Sequence, residues 1–290
     1  MTRRLTLPAA LAAALLLGQG ARAATAAEGA EAAAPRELAV CSDPANLPYS
    51  NERGEGFENR LAALIADELH ATLHYTWNLQ RRSFLRRTLQ AGACDLVMGV
   101  PGGLPGVLAS RPYYTSTYVF VAARDRGLRF TGFDDPALRG WRIGLQALGA
   151  EGANTPPAAA LARRGLSAQV VGFEPWGSET DETPQSHIVE AVLRGEVDAA
   201  IVWGPIAGYY ARPWAAQLAL TPVGGDAQQP GLAFQYPMSV GVRRGDAALL
   251  AEVQAVLDRR QPEIQALLQS YGIPLVAAPV PLAGTSTREN

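Results

Sequence analysis

With 290 residues, 48% of them apolar, the chain is long enough for two lobes with separate cores and too apolar to remain disordered. A formal charge of −2 argues against a nucleic-acid partner, which would need a basic face. Every basic side chain is an arginine, a feature of composition to which no function attaches.

The first residues read as a targeting segment. Arg3 and Arg4 form a basic start, Leu5–Gly18 is a short apolar run, and Ala21-Arg22-Ala23 fits a small-x-small cleavage site. The run is too short to span a bilayer securely. Residues 1–23 are therefore expected to be a cleaved signal peptide, 24–35 a flexible leader and 277–290 a flexible tail. The mature protein is expected in the periplasm. Loss of Arg3, Arg4 and Arg22 takes the formal charge from −2 to about −5.

Glu37–Tyr49, ELAVCSDPANLPY, reads as a buried strand that breaks into a polar, proline-marked loop. Ligands of open α/β sheets bind beyond the carboxyl ends of strands, so the loop Cys41–Ser50 is placed at one wall of a cleft. Next come a helix at Phe57–Leu69, a strand at Thr72–Thr76, a helix at Arg82–Ala91 ended by Gly92, and an apolar strand at Asp95–Val100. Arg111–Ala123 is a long β-type run closed by the charged turn Arg124–Gly127.

A second set follows: strand Trp141–Gln146, helix Pro156–Arg164 with proline in its first turn, strand Gln169–Phe173, helix Gln185–Arg194, strand Asp198–Val202, helix Ile206–Ala211 and strand Leu218–Val223. The β-run Pro237–Val242 leads out, and helices Ala247–Arg260 and Pro262–Tyr271 close the chain. The two sets echo each other in AGACDLVMG and RGEVDAAIVWG. The expected class is α/β, with two doubly wound lobes joined by two crossing segments near Tyr118–Ala123 and Tyr236–Val242. Lobe I takes 36–120 and 238–276, and lobe II takes 121–237. A ligand would lie between them, with closure by hinge motion.

Cys41 and Cys94 remain in the mature chain. An oxidising compartment favours a disulfide. Geometry argues against it. Cys41 ends one strand and Cys94 precedes another, so flush parallel strands would hold them about 13 Å apart, beyond the roughly 7 Å a disulfide spans.

Several strings resemble a known family. The layout is similar to the type 2 periplasmic binding protein fold, in extracellular solute-binding family 3. VCSDPANLPYSNERGEGFEN, YTWNLQRRSFLRRTLQAGACDLVMGVP, SRPYYTSTYVFV, GANTPPAAALARRG and IVWGPIAGYYA resemble its quinoprotein-dehydrogenase-associated branch, the MxaJ/XoxJ type of methanol oxidation. The resemblance runs from about Glu37 to Val276. It implies a partner, a dehydrogenase dependent on pyrroloquinoline quinone (PQQ), with its cytochrome c as a second candidate. It implies a role in maturing or activating that enzyme, with no quinone of its own.

Family 3 proteins grip an amino acid with an arginine after the strand matched here by DLVMG and an aspartate ending the strand matched by DAAIV. The first position falls in GVPGGLPGVLAS, which lacks arginine, and the second is Trp203. An unpaired carboxylate and ammonium are costly to bury, so amino-acid binding is not expected. The candidate cleft residues are Asp43, Asn46, Tyr49 and Trp77, then Gly99 and Pro101, then Gln146, Asn154, Thr155 and Trp203. Trp203-Gly204-Pro205 and Pro101-Gly102-Gly103 are expected to face each other, with interlobe packing as the alternative for Trp203. Asn154-Thr155 sits at a helix start, where N-capping competes with anion binding.

Arg81, Arg82, Arg86 and Arg87 read either as a docking face or, more commonly for such residues, as a solvated one. Glu179, Asp181 and Glu182 read as a solvated acidic loop. His70 and His74 share a four-residue spacing but straddle a helix end and lack a third ligand, so no zinc site is expected. No nucleophile elbow, phosphate loop or dinucleotide fingerprint is present. Among enzymes of this fold, a dehydratase would need a charged cleft and a transglycosylase an extra domain. The chain is expected to be a binding protein without catalysis or cofactor, and an importer's solute-binding component is the alternative.

Overall fold

The first apolar run forms β1 (Arg36–Ser42), zipped in parallel along its whole length to β4 (Ala71–Trp77). The computed structural model describes residues 36–81, 83–146, 155–175, 181 and 183–277. The expected signal peptide and leader, and the tail beyond 277, lie outside these residues. Between β1 and β4 come the small pair β2 (Ala45–Asn46) and β3 (Ser50–Asn51), then α1 (Phe57–Glu68). The short helix α2 (Phe84–Arg87) leads to β5 (Leu96–Pro101) and β6 (Val107–Ala109).

The long strand β7 (Tyr114–Ala123) carries the chain out of this set. The second set is β8 (Ile143–Gln146), α3 (Pro156–Arg163), β9 (Val170–Phe173), α4 (His187–Leu193), β10 (Ala199–Trp203), α5 (Gly204–Ala211) and β11 (Leu218–Pro222). Strand β12 (Gln235–Arg243) returns, and α6 (Ala247–Arg259) and α7 (Gln261–Ser270) pack on the first set.

The strands join in the order β4-β1-β5-β12-β7-β10-β8-β9, with β6 on β12 and β11 on β7. Each half has its first strand between its second and third, paired in parallel to both. Each third strand then meets an antiparallel strand that crosses between the halves. The crossing is visible in β7: Tyr114–Thr117 pairs with β12, and from Tyr118 onward the strand pairs with β10 and β11. These are two doubly wound lobes joined by two crossing strands.

The sequence echo has a physical counterpart. Asp95 donates its backbone N–H to the Ala39 carbonyl at 2.7 Å, and its carboxylate accepts from the Ala39 N–H at 2.9 Å. Asp198 does the same to Arg142, at 2.9 Å and 2.6 Å. One aspartate before each third strand thus clamps each first strand, at its middle residue Ala39 in one half and at Arg142, just ahead of β8, in the other.

Cys41 and Cys94 form a disulfide, with Cα atoms 5.6 Å apart. The opposite expectation assumed flush strands. The pairing is staggered, with Leu96 beside Val40 and Val97 beside Cys41. The chain before β5 also turns back over the sheet. Thr76, the β4 partner of Cys41, donates its hydroxyl to the Ala93 carbonyl at 2.7 Å, which brings Cys94 level with Cys41.

The helix expected over Arg82–Ala91 shrinks to one turn. Ser83 takes a left-handed φ of +69°, and Phe84 and Leu89 both bury beside the disulfide. Thr88, at φ −115° and ψ −86°, leaves the helical region and ends the turn. Arg86 donates to Ser83 Oγ and Arg87 to Asn78 Oδ1, at 2.9 and 3.3 Å, on an exposed surface, while Arg82 lies outside the described residues.

In the second lobe Arg164 is almost wholly buried, bidentate to Asp226 at 2.6 and 2.9 Å and bonded to Asp134 at 2.8 and 2.9 Å. Those carboxylates hold the guanidinium charged, and it in turn holds both of them below the usual carboxylate range.

Candidate functional site

The site is built by the loop after β1 folding onto the helix that follows it. The carbonyls of Pro48 and Tyr49 accept the N–H groups of Phe57 and Glu58, each at 2.9 Å, taking up free donors of the first turn of α1. This approach requires glycine at 56, where a Cβ would lie 1.9 Å from the Tyr49 oxygen. Asn59 Oδ1 accepts from Gly56 and Asn51, at 3.1 and 3.0 Å. NERGEGFEN therefore closes on itself and sets Tyr49 beside Glu58.

A cavity of about 430 Å³ lies between the lobes. Asn46, Tyr49, Glu58, Gln80, Gly99 and Pro101 form its first-lobe wall. Gln146, Thr155, Pro175, Gln185, Trp203 and Ile206 form the opposite wall, and Tyr118, Tyr236 and Met238 line it from the crossing strands. The size is that of an ordinary small-molecule site.

Contacts across the cleft hold the walls together. Gln185 Nε2 donates to Asn46 Oδ1, and Asn46 Nδ2 donates in turn to Gln80 Oε1 at 2.8 Å. The Tyr210 hydroxyl donates to the Leu47 carbonyl at 3.1 Å. The ring of Trp203 lies edge-on to Tyr118 and Tyr236 at 5.4 and 5.8 Å. Below these contacts, Gly204 and Gly208 bring α5 against backbone. A Cβ at 204 would lie 2.5 Å from the Thr117 carbonyl oxygen, and one at 208 would lie 1.9 Å from that of Gly272.

Glu58 is the only ionisable carboxyl among the described lining residues, which include no arginine, lysine or histidine. Its side chain is walled by protein on most sides and keeps a face on the cavity. Burial raises its pKa to about 8. Gly99 makes the space for it: this residue has φ +62° inside β5, and a Cβ there would lie 2.1 Å from Glu58 Oε1. Burial first, with the nearby Glu58 charge adding to it, also pushes up the phenols of Tyr49, Tyr113 and Tyr114.

Of the residues singled out from sequence, Asn46, Tyr49, Gly99, Pro101, Gln146, Thr155 and Trp203 come together around the cavity. Asp43 does not reach it. Its carboxylate accepts from the backbone of Ala45 and Gln80, at 2.9 and 2.6 Å, and pins two loops. Trp77 stacks on Tyr75 with centroids 4.6 Å apart, on the outermost strand β4. Asn154 lies outside the described residues, and Thr155 is the N-cap of α3, accepting from Ala158 N–H at 3.4 Å. Sequence reasoning missed Glu58, Gln185, Tyr118 and Tyr236. Gly99 in mid-strand was the available signal, because such a glycine often marks a close approach.

No protein-family model matches the chain. It is 30% identical over 262 residues to Protein MoxJ of Methylorubrum extorquens, covering 86% of this chain and 85% of that protein. This chain belongs to the MoxJ family. Among solved structures it is similar to MxaJ of Methlophaga aminisulfidivorans MPT, with 29% identity, a TM-score of 0.72, and coverage of 82% of this chain and 100% of that one. It is also similar to the periplasmic binding protein XoxJ of Methylobacterium extorquens AM1, with 31% identity, a TM-score of 0.68, and coverage of 83% and 100%. The fold is thus the type 2 periplasmic binding fold, with the cavity between the lobes.

Proposed function

We propose that this MoxJ-family protein is a periplasmic accessory factor of a PQQ-dependent alcohol dehydrogenase, exported by a cleaved leader and without catalysis of its own. The observation that carries this reading is the likeness to MoxJ, MxaJ and XoxJ across both lobes. It is supported by a cleft whose described lining has lost the guanidinium anchor of amino-acid binders. The partner is the dehydrogenase, with its cytochrome c as a further candidate. The lobes divide at 36–120 with 238–276 and at 121–237, and they close as hinged bodies.

The test is size-exclusion chromatography with light scattering on the mature chain mixed with the dehydrogenase, apo and cofactor-loaded. Co-elution with one form is expected. Separate peaks with both forms, together with unchanged cofactor loading of the enzyme, would overturn the reading. A formed cavity of about 430 Å³ favours a second reading, the solute-binding component of an importer for a small non-amino-acid solute.

A further inference from the structure

The described lining of the cavity presents acceptors and aromatic faces but no cation. Among the described residues no side chain donates to the Glu58 carboxyl, and burial is the one influence resolved on its proton affinity. The residue is given its place by Gly99, which a side chain would occupy. This is a built position rather than a surface acid turned inward.

Gln185 adds a second acceptor. It is 6% exposed, its N–H is given to Asn46, and its Oε1 has no partner among the described residues. An unpaired buried carbonyl is costly unless something donates to it. The rings of Trp203, Tyr118 and Tyr236 supply electron-rich surface in the same cavity. A ligand carboxylate would meet Glu58 and find no guanidinium among the described lining residues.

We propose that the cleft takes a small alkylammonium ion lacking a carboxylate, its charge at Glu58, an N–H toward Gln185 Oε1 and its carbon chain among the rings of Trp203, Tyr118 and Tyr236. The proposal rests on the reading of the cleft as a solute site and names the class of solute. The groups whose ionisation is coupled to Glu58 are the phenols of Tyr49, Tyr113 and Tyr114, all pushed above their ordinary range. Between about pH 7 and about pH 9 only the Glu58 carboxyl among these titrates, and an alkylammonium keeps its proton. Binding then strengthens with pH as the carboxylate forms.

The experiment is a titration of the mature chain, by Trp fluorescence and calorimetry, with three probes of one skeleton. These are n-pentylammonium chloride, 1-pentanol, and L-norleucine, which adds a carboxylate to the ammonium. The ammonium is expected to bind at least about tenfold more tightly than the other two, and about tenfold more tightly near pH 9 than near pH 7. Glu58→Gln is expected to erase both differences while leaving circular dichroism unchanged. Equal binding of alcohol and ammonium, tighter binding of norleucine, or no binding of any probe up to about 10 mM would overturn the proposal. No dehydrogenase is present in this titration, so its failure leaves the accessory reading standing, and failed co-elution leaves the ligand class standing.

Discussion

The two lobes repeat one topology and stabilise it by different means. Both have the second-first-third strand order and the same aspartate clamp. In lobe II, one face of the sheet carries α4 and α5, with Ile188, Val189, Val192, Ile206 and Ala207 in its core. The matching face of lobe I carries the one-turn helix α2 and the turn after it, and its small core of Phe84, Leu89, Val97 and Val100, flanked by Leu104 and Val107, is completed by the disulfide. Where the cover is thin, a covalent link replaces buried area. Lobe II has no cysteine and instead buries the Arg164 guanidinium between Asp226 and Asp134. The lesson is that one backbone plan tolerates either solution, provided each thin or polar spot is secured.

The largest way to break this contrast is Asp226→Ala. Removing one partner of a buried ion pair is expected to destabilise lobe II by about 3 to 5 kcal/mol, read as faster hydrogen exchange in β8 and α3 than in β1. Next is the Cys41→Ala/Cys94→Ala double variant, expected to cost about 2 to 4 kcal/mol in urea unfolding and to expose lobe I first. Exchange spreading evenly over both lobes in these two experiments would show that the lobes share one cooperative unit.

The third prediction concerns pH, where the lobes should differ in sign. Glu58 holds its proton up to about pH 8 when folded, and gives it up near 4.5 when unfolded. The folded state binds more protons between those values, so its stability falls as pH rises through that window. Glu58→Gln should therefore stabilise the chain near pH 8, by about 2 kcal/mol, less than the full shift because the carboxyl keeps a face on the cleft. Asp226 is depressed by Arg164, so its contribution is lost as pH falls below the ordinary carboxylate value. Melting temperature against pH for wild type, Glu58→Gln and Asp226→Ala separates the two slopes. The smallest effect sharpens the likeness: Asp95→Ala and Asp198→Ala each remove a side-chain bond to a first strand, about 1 to 2 kcal/mol. Asp198→Ala should cost the more, because that carboxylate is the more buried and also pairs with Arg126 and Arg142, where Asp95 pairs with Arg243; equal losses in thermal melts would show that only the shared clamp matters.

Much of this was legible in the chain. Apolar runs bounded by glycine and proline marked the strands, and AGACDLVMG and RGEVDAAIVWG marked the repeat. What escaped depended on stagger and on side-chain direction. Cys41 and Cys94 meet because β5 is offset and Ala93 folds back onto Thr76, neither of which has a sequence period. Asp43 and Trp77 looked exposed to a cleft but serve a loop and a strand edge. Glu58 was passed over because an acid in a first helical turn ordinarily faces solvent and answers the helix dipole. Only the loop carbonyls of Pro48 and Tyr49, already occupying that end of α1, turn it inward.

The contact of Gly208 with Gly272 ties α5 to the turn after α7 through backbone, and side chains flank it. Tyr209 stacks on Tyr271 with centroids 5.8 Å apart, and Arg212 donates to the Ser270 carbonyl. In the proposed hinge motion this seam is the tether that stays closed, and the amide chain from Gln185 through Asn46 to Gln80 is the catch that must release.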